Sequence, residues 1–181
     1  MLQRKVGKLS GWLGYTLSWI KYQFDELNFG KEFYPRQDRR HDISLVGVYQ
    51  PSAKMKLSFT WVYSSGAPYQ LARAQYAVRV DGPPDIYSSV SSQTAVDYGD
   101  KDSYRTDAYH RLNLGVQFIK KKKYGDRIWE VSAYNVYNKF NPFYYDRNTI
   151  PFASDPDKEE TGLKKFSLFP IIPSVTYIRK F

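Results

Sequence analysis

Few residues in this chain have the types and spacing for chemistry. His41 and His110 are its only histidines, and it has no cysteine. His41 is followed directly by Asp42. In an extended chain such neighbours point to opposite faces, so the pair cannot share a metal ion. Ser65-Gly66 is the nearest approach to a nucleophile on a tight turn, but the Gly-x-Ser-x-Gly elbow of a hydrolase is absent. Asp155, Asp157, Glu159 and Glu160 resemble a cation loop in composition. They lack the central glycine and terminal glutamate of a calcium-binding loop, and read as a solvated acidic stretch. Lysines fill positions 120–123 and the net charge is +9, the usual prompt for a nucleic-acid partner. Beside Tyr124-Gly125-Asp126 the run reads as a solvated turn. No catalytic residue, metal site, cofactor or nucleic-acid partner is expected.

The elements that would carry these residues are strands. Aromatic residues are abundant, with 17 Tyr, 11 Phe and 4 Trp, yet only 42% of the chain is hydrophobic. No run reaches the ~18 apolar residues of a spanning helix. The aromatic content argues against disorder. Alternation is the dominant period. In 55–64, Leu57, Phe59, Trp61 and Tyr63 oppose Lys56, Ser58, Thr60 and Ser64. In 111–118, Leu112, Leu114, Val116 and Phe118 oppose Arg111, Asn113, Gly115 and Gln117. Segments 12–20, 42–50 and 128–137 follow with weaker contrast, and a last strand is expected from near Ser174, beyond Pro170 and Pro173. The expectation is all-β: about six long antiparallel strands, with residues 1–5 the tail of a preceding one.

The connections divide into two kinds. Those at 4–8, 51–54 and 120–126 are short; those at 25–38, 65–104 and 146–160 are long. Their charges divide with them: the long set sums to −7, the short set with its flanks to +8. Strict alternation of short turns and long loops is the pattern of an outer-membrane barrel. Arg4, Lys5 and Lys8 precede a moderately apolar stretch at 11–20, but no small-x-small cleavage site follows, so no signal peptide is expected.

Four motifs then carry a resemblance: Tyr63-Ser64-Ser65-Gly66-Ala67-Pro68-Tyr69, Tyr109-His110-Arg111-Leu112-Asn113-Leu114-Gly115-Val116, the run from Tyr134-Asn135-Val136-Tyr137-Asn138 to Tyr145, and Phe169-Pro170-Ile171-Ile172-Pro173 through Phe181. In this order they resemble the C-terminal barrel of TonB-dependent outer-membrane receptors of the Bacteroidetes type. The resemblance implies that residues 1–181 are the C-terminal part of a 22-strand transmembrane barrel in the cell outer membrane. The plug domain would lie elsewhere, and Met1 would be an internal methionine. It implies a transport role, TonB-dependent solute uptake, without covalent chemistry. Partners would be outer-membrane lipid, the rest of the barrel and plug, the TonB complex through that plug, and the barrel-assembly machinery. Phe181, with Tyr177 on the same face, matches the C-terminal insertion signal, although Arg179 stands where the family carries an apolar or aromatic residue. Trp12, Trp19, Trp61, Tyr63, Trp129 and Tyr137 are expected to form an aromatic girdle; sugar stacking is the alternative for any one of them. Lys56, Ser58, Thr60, Arg111, Asn113 and Gln117 are expected to face the lumen. The transported solute is left open. Two other classes stay open as well: a complete small ligand-binding β-protein or a subunit of an oligomeric barrel, and an outer-membrane hydrolase using Ser65 or His110.

Overall fold

The computed structural model describes residues 1–80, 91–123, 125–152 and 155–180. Among them are strands β1 (Leu2–Val6), β2 (Leu9–Leu17), β3 (His41–Ser52), β4 (Met55–Ser64), β5 (Pro68–Tyr69), β6 (Ala74–Val80) and β7 (Ser91–Asp97). They continue with β8 (Tyr104–Arg105), β9 (Tyr109–Lys122), β10 (Gly125–Tyr134), β11 (Tyr144–Phe152), β12 (Asp155–Phe166) and β13 (Ile172–Arg179). The protein is all-β. Seven strands form one antiparallel sheet in the order β1-β2-β3-β4-β9-β10-β13, with β1 and β13 at its edges. The other six make three two-stranded ribbons, β5-β8, β6-β7 and β11-β12.

Turns at one end of the sheet are tight. Val6 pairs with Leu9 across Gly7-Lys8, where Gly7 has φ +55° and takes the left-handed conformation such a turn requires. Ser52 pairs with Met55, and Lys122 with Gly125. The other end carries the long excursions. The expected loops at 65–104 and 146–160 are themselves largely strand: β5–β8 fold the first into two nested hairpins, and β11 with β12 absorbs the second. β12 contains Asp-Pro-Asp-Lys-Glu-Glu and has no apolar alternation to announce it. Its ladder with β11 is made by the backbone, which side-chain patterning does not reveal.

Three further expectations need correction. The count of about six strands falls short, because residues 2–6 form a paired strand and three ribbons were hidden in loops. Lys120, Lys121 and Lys122 end β9 rather than forming a turn, since β9 runs far past its apolar portion. The last strand begins at Ile172, and Pro173 lies inside it opposite Ala133. An edge strand accommodates this, because one of its sides has no ladder to satisfy.

A soluble domain of ~150 residues buries roughly 70% of its unfolded surface around one apolar core. Here Phe33, Ile128 and Tyr145 are the buried apolar residues among those described, while Asp38 and Asn135 are completely buried. The sheet therefore has no packed apolar layer of its own.

Candidate functional site

Residues directly opposite in neighbouring strands share a face, and the register builds one face from apolar side chains alone over most of its area. One row is Leu13, Leu45, Trp61 and Leu112. The next holds Gly47, Phe59, Leu114 and Ala133, and the next Leu9, Tyr49, Leu57, Val116, Val131 and Val175. Phe118, Trp129 and Tyr177 form the row nearest the tight turns. These side chains face outward uncovered: Leu114, Phe118, Trp129, Val131 and Tyr177 are all exposed, and Val175 is 64% exposed. Phe59 lies over Gly47, where a Cβ would sit 2.3 Å from its ring, so this glycine makes room for an aromatic.

Aromatic residues edge the apolar rows at both ends. Toward the tight turns, Trp129 and Tyr177 lie 4.9 Å apart between ring centroids. Toward the long excursions, Trp61 stacks on Tyr63 at 6.1 Å, and Tyr15 and Tyr137 stand nearby. Both histidines belong to this second edge. His41 Nδ1 is 3.0 Å from the Tyr15 hydroxyl, and His110 Nδ1 is 2.9 Å from that of Tyr137.

Of the six residues expected in the girdle, Trp61, Tyr63, Trp129 and Tyr137 lie at these two edges. Trp19 lies beyond the end of β2, outside any strand, and is 61% exposed. Trp12 is corrected to the opposite face: it pairs with Val46 and Gln3, and its ring lies against Gly14. Its parity differs from that of Leu13 and Tyr15, and one residue of offset reverses the face. Tyr177 is in the apolar row already described, whereas Phe181 lies outside the described residues.

The opposite face is mainly polar, with Trp12, Val46, Val48, Val62 and the row Ile119, Ile128 and Ile178 as its apolar members. Lys56 pairs with Gln117, Ser58 with Gly115, Thr60 with Asn113 and Val62 with Arg111, so all six residues expected in the lumen lie together on it. They are tied into the sheet. Gln117 Nε2 donates to Glu130 at 2.8 Å, Ser58 Oγ to the Gly115 carbonyl at 3.4 Å, and Arg111 Nη1 to the Tyr134 hydroxyl. A Cβ on Gly115 would come within 2.7 Å of Ser58 Oγ and would make that hydroxyl turn away.

The hydrolase candidates do not meet. Ser65 Oγ accepts the backbone N–H of His41 at 3.2 Å, not its imidazole, and His110 is held by Tyr137. Among the described residues no group of three or more His, Asp or Glu converges as a metal site would require. Asp155, Asp157, Glu159 and Glu160 belong to β12, and their side chains lie outside those described.

Sequence reasoning missed two polar clusters that organise the long-excursion end. In the first, Asp38 is bonded by the Arg105 guanidinium and accepts the Ile20 backbone N–H at 3.0 Å, while Arg105 also donates to the Gly66 carbonyl at 3.0 Å. Burial pushes the Asp38 carboxyl up, but the Arg105 hydrogen bond, the Ile20 N–H and the charges of Arg105 and Arg40 together hold it below its ordinary value. In the second, Asn135 adopts φ +54°, and its Nδ2 donates to the carbonyls of Lys139 and Phe169, both at 3.0 Å. Asn141 brackets His110, accepting its N–H at 3.0 Å and donating to its carbonyl at 2.9 Å. The available signal was asparagine just after a strand, since Asn tolerates the left-handed conformation. Nothing in the spacing of Asp38 and Arg105, 67 residues apart, announced their pairing.

No family model, no curated protein and no solved structure matches this chain. What its own geometry defines, among the described residues, is an open antiparallel sheet with one uncovered apolar face, one mainly polar face, tight turns at one end and two-stranded ribbons at the other.

Proposed function

We propose that this chain is a wall segment of a transmembrane β-barrel in a bacterial outer membrane, the C-terminal part of a TonB-dependent receptor for solute uptake. The observation that carries the reading is the uncovered apolar face edged by aromatic residues at both ends. From His110 to Phe118 along β9 is eight residue steps, about 26 Å of strand or about 20 Å of height at the ~40° tilt of barrel strands. Barrel exteriors carry an apolar band roughly 25 Å tall flanked by aromatic girdles. In water such a face would be an aggregation hazard; in lipid it is solvated. The polar face would line the lumen, the tight basic turns would face the periplasm, and the ribboned excursions would face outward.

The free edges of β1 and β13 support a role as a segment. Among the described residues no strand lies beyond either edge, and such an edge needs neighbours within the hydrocarbon region. Further strands of the same barrel would supply them. Uptake would then follow capture of solute by the excursions and movement of a plug driven from the inner membrane, with no covalent step. The four sequence motifs are what narrows a barrel to this receptor class.

Fractionation of the cells that make this chain tests the reading. The expected result is the chain in the outer-membrane pellet, resistant to alkaline extraction. Recovery as a soluble monomer would overturn it.

A further inference from the structure

Three arginines stand at the long-excursion end of the sheet. Arg39 and Arg40 lead into β3, and Arg111 is near the start of β9. Among the described residues none of the three forms an ion pair, whereas the acids around them are engaged. Asp38 is held by Arg105, Asp42 accepts from Ser64 Oγ, and Asp107 pairs with Lys165 at 2.8 Å. The Nε atoms of Arg40 and Arg111 are shielded from solvent and have no hydrogen-bond partner. Buried polar groups are nearly always paired, and an unpaired charged donor is among the costliest to leave.

Tyrosine rings hold the guanidinium planes in place. Tyr34 has Arg40 at 5.4 Å and Arg105 at 5.3 Å from its centroid, and Tyr134 has Arg111 at 4.3 Å. The Tyr134 hydroxyl occupies Arg111 Nη1, while the shielded Nε beside it is left without a partner. Across the register Asp42, Ser64 and Tyr109 stand in one row, with Arg111 two residues beyond Tyr109 on the same face and Arg40 two residues before Asp42. Arginine stays charged at every ordinary pH, and its planar fork matches the two oxygens of a carboxylate or phosphate.

We propose that this arginine–tyrosine cluster binds an anionic solute bearing carboxylate or phosphate groups, whose oxygens displace the cover over the unpartnered Nε donors of Arg40 and Arg111. The proposal rests on the barrel reading, in which this face is the lumen and the cluster stands at its outer mouth. It gives the transported solute a chemical class.

Isothermal titration of the full chain in zwitterionic detergent tests it, with citrate and inorganic pyrophosphate as probes and a neutral trisaccharide as control. Saturable binding of at least one anion, and none of the trisaccharide, is expected; whichever anion binds more tightly separates carboxylate from phosphate recognition. Arg40→Gln with Arg111→Gln should weaken binding about tenfold or more, and Arg111→Lys, which keeps the charge but loses the fork, by about threefold or more. Lys120→Gln with Lys121→Gln, at the opposite end, should leave it unchanged. Absence of saturable binding in the folded chain overturns the proposal, as does equal weakening by the two lysine changes, which would mean attraction by net charge alone. If Arg111→Gln disturbs the sheet, Arg111→Lys still decides the question, because wild-type affinity in that variant overturns the fork. Bilayer insertion without anion binding sinks the site and leaves the barrel; anion binding by a chain found soluble in cells sinks the barrel and leaves the site.

Discussion

Asn135→Ala is the sharpest test of how the long-excursion end is held together. The side chain is completely buried. Its Nδ2 donates to the carbonyls of Lys139 and Phe169, and its Oδ1 accepts the Lys139 N–H at 3.1 Å. One amide thus links the end of β10, the turn after it and the approach to β13. Each such bond has a net value of about 0.5–1.5 kcal/mol, so three give about 1.5–4.5 kcal/mol. Asn135 also has φ +54°, and alanine there adds about 1–2 kcal/mol of backbone strain. A loss of about 2.5–6.5 kcal/mol is therefore expected. Asn135→Gly separates the two parts: it loses the bonds without the strain and should be about 1 kcal/mol less damaging than alanine. Asn135→Asp should be no better than glycine, since it turns an acceptor oxygen toward two carbonyls. Urea unfolding in detergent micelles, followed through Trp61 and Trp129 fluorescence, measures all three. A loss below about 1 kcal/mol for Asn135→Ala, or wild-type stability for Asn135→Asp, would refute the reasoning.

Other expectations are as direct. Gly66→Ala places a Cβ 1.8 Å from the Thr106 carbonyl, a backbone atom, whereas Gly47→Ala meets only the end of the Phe59 ring. The first should cost about 3 kcal/mol and expose 65–107 to protease, the second about 1 kcal/mol, and equal effects would contradict the packing described. Asp38 lies below its ordinary 3.8, so its contribution is present above that value and is lost as pH falls through its lower folded value. Protease resistance of 18–40 should decline in that acid window, and Asp38→Asn should be weaker at neutral pH with that decline removed. An unchanged acid profile in Asp38→Asn would remove Asp38 from the account. Leu114→Arg, central on the apolar face, should oppose partition into vesicles by about 2–4 kcal/mol, while Ser58→Arg on the polar face should be nearly neutral; equal partitioning would deny the facial assignment.

What could be read in advance follows from where side chains face two different environments. β2, β3, β4, β9 and β10 were visible because each sets Leu, Val or an aromatic against Ser, Thr or Asn at period two, and 55–64 was located to the residue. β12 was invisible because its charged residues at 155–160 and 164–165 leave no apolar alternation. Trp12 was misplaced because ring chemistry outweighed parity: Leu13 and Tyr15 already assign it to the other face. The long-excursion end resisted for a different reason. Asp38 with Arg105, Asn28 Oδ1 with the Lys101 N–H at 2.9 Å, and Tyr69 with the Tyr145 carbonyl at 3.0 Å are contacts between distant segments, and periodicity carries no information about them. The arginine–tyrosine cluster belongs to the same category. Only Arg111 among its cations could be assigned a face beforehand.

The central claim is that one face of this sheet contacts lipid and the other water. The chain has no cysteine, so single cysteines can be placed along β9 at 111–118 without background, and each can carry a nitroxide in reconstituted vesicles. The account expects a period of two. Positions Leu112, Leu114, Val116 and Phe118 should be open to oxygen and closed to a water-soluble nickel chelate, and Arg111, Asn113, Gly115 and Gln117 should show the reverse. Nickel access at Leu114 and Val116 equal to that at Asn113 and Gly115 would contradict it.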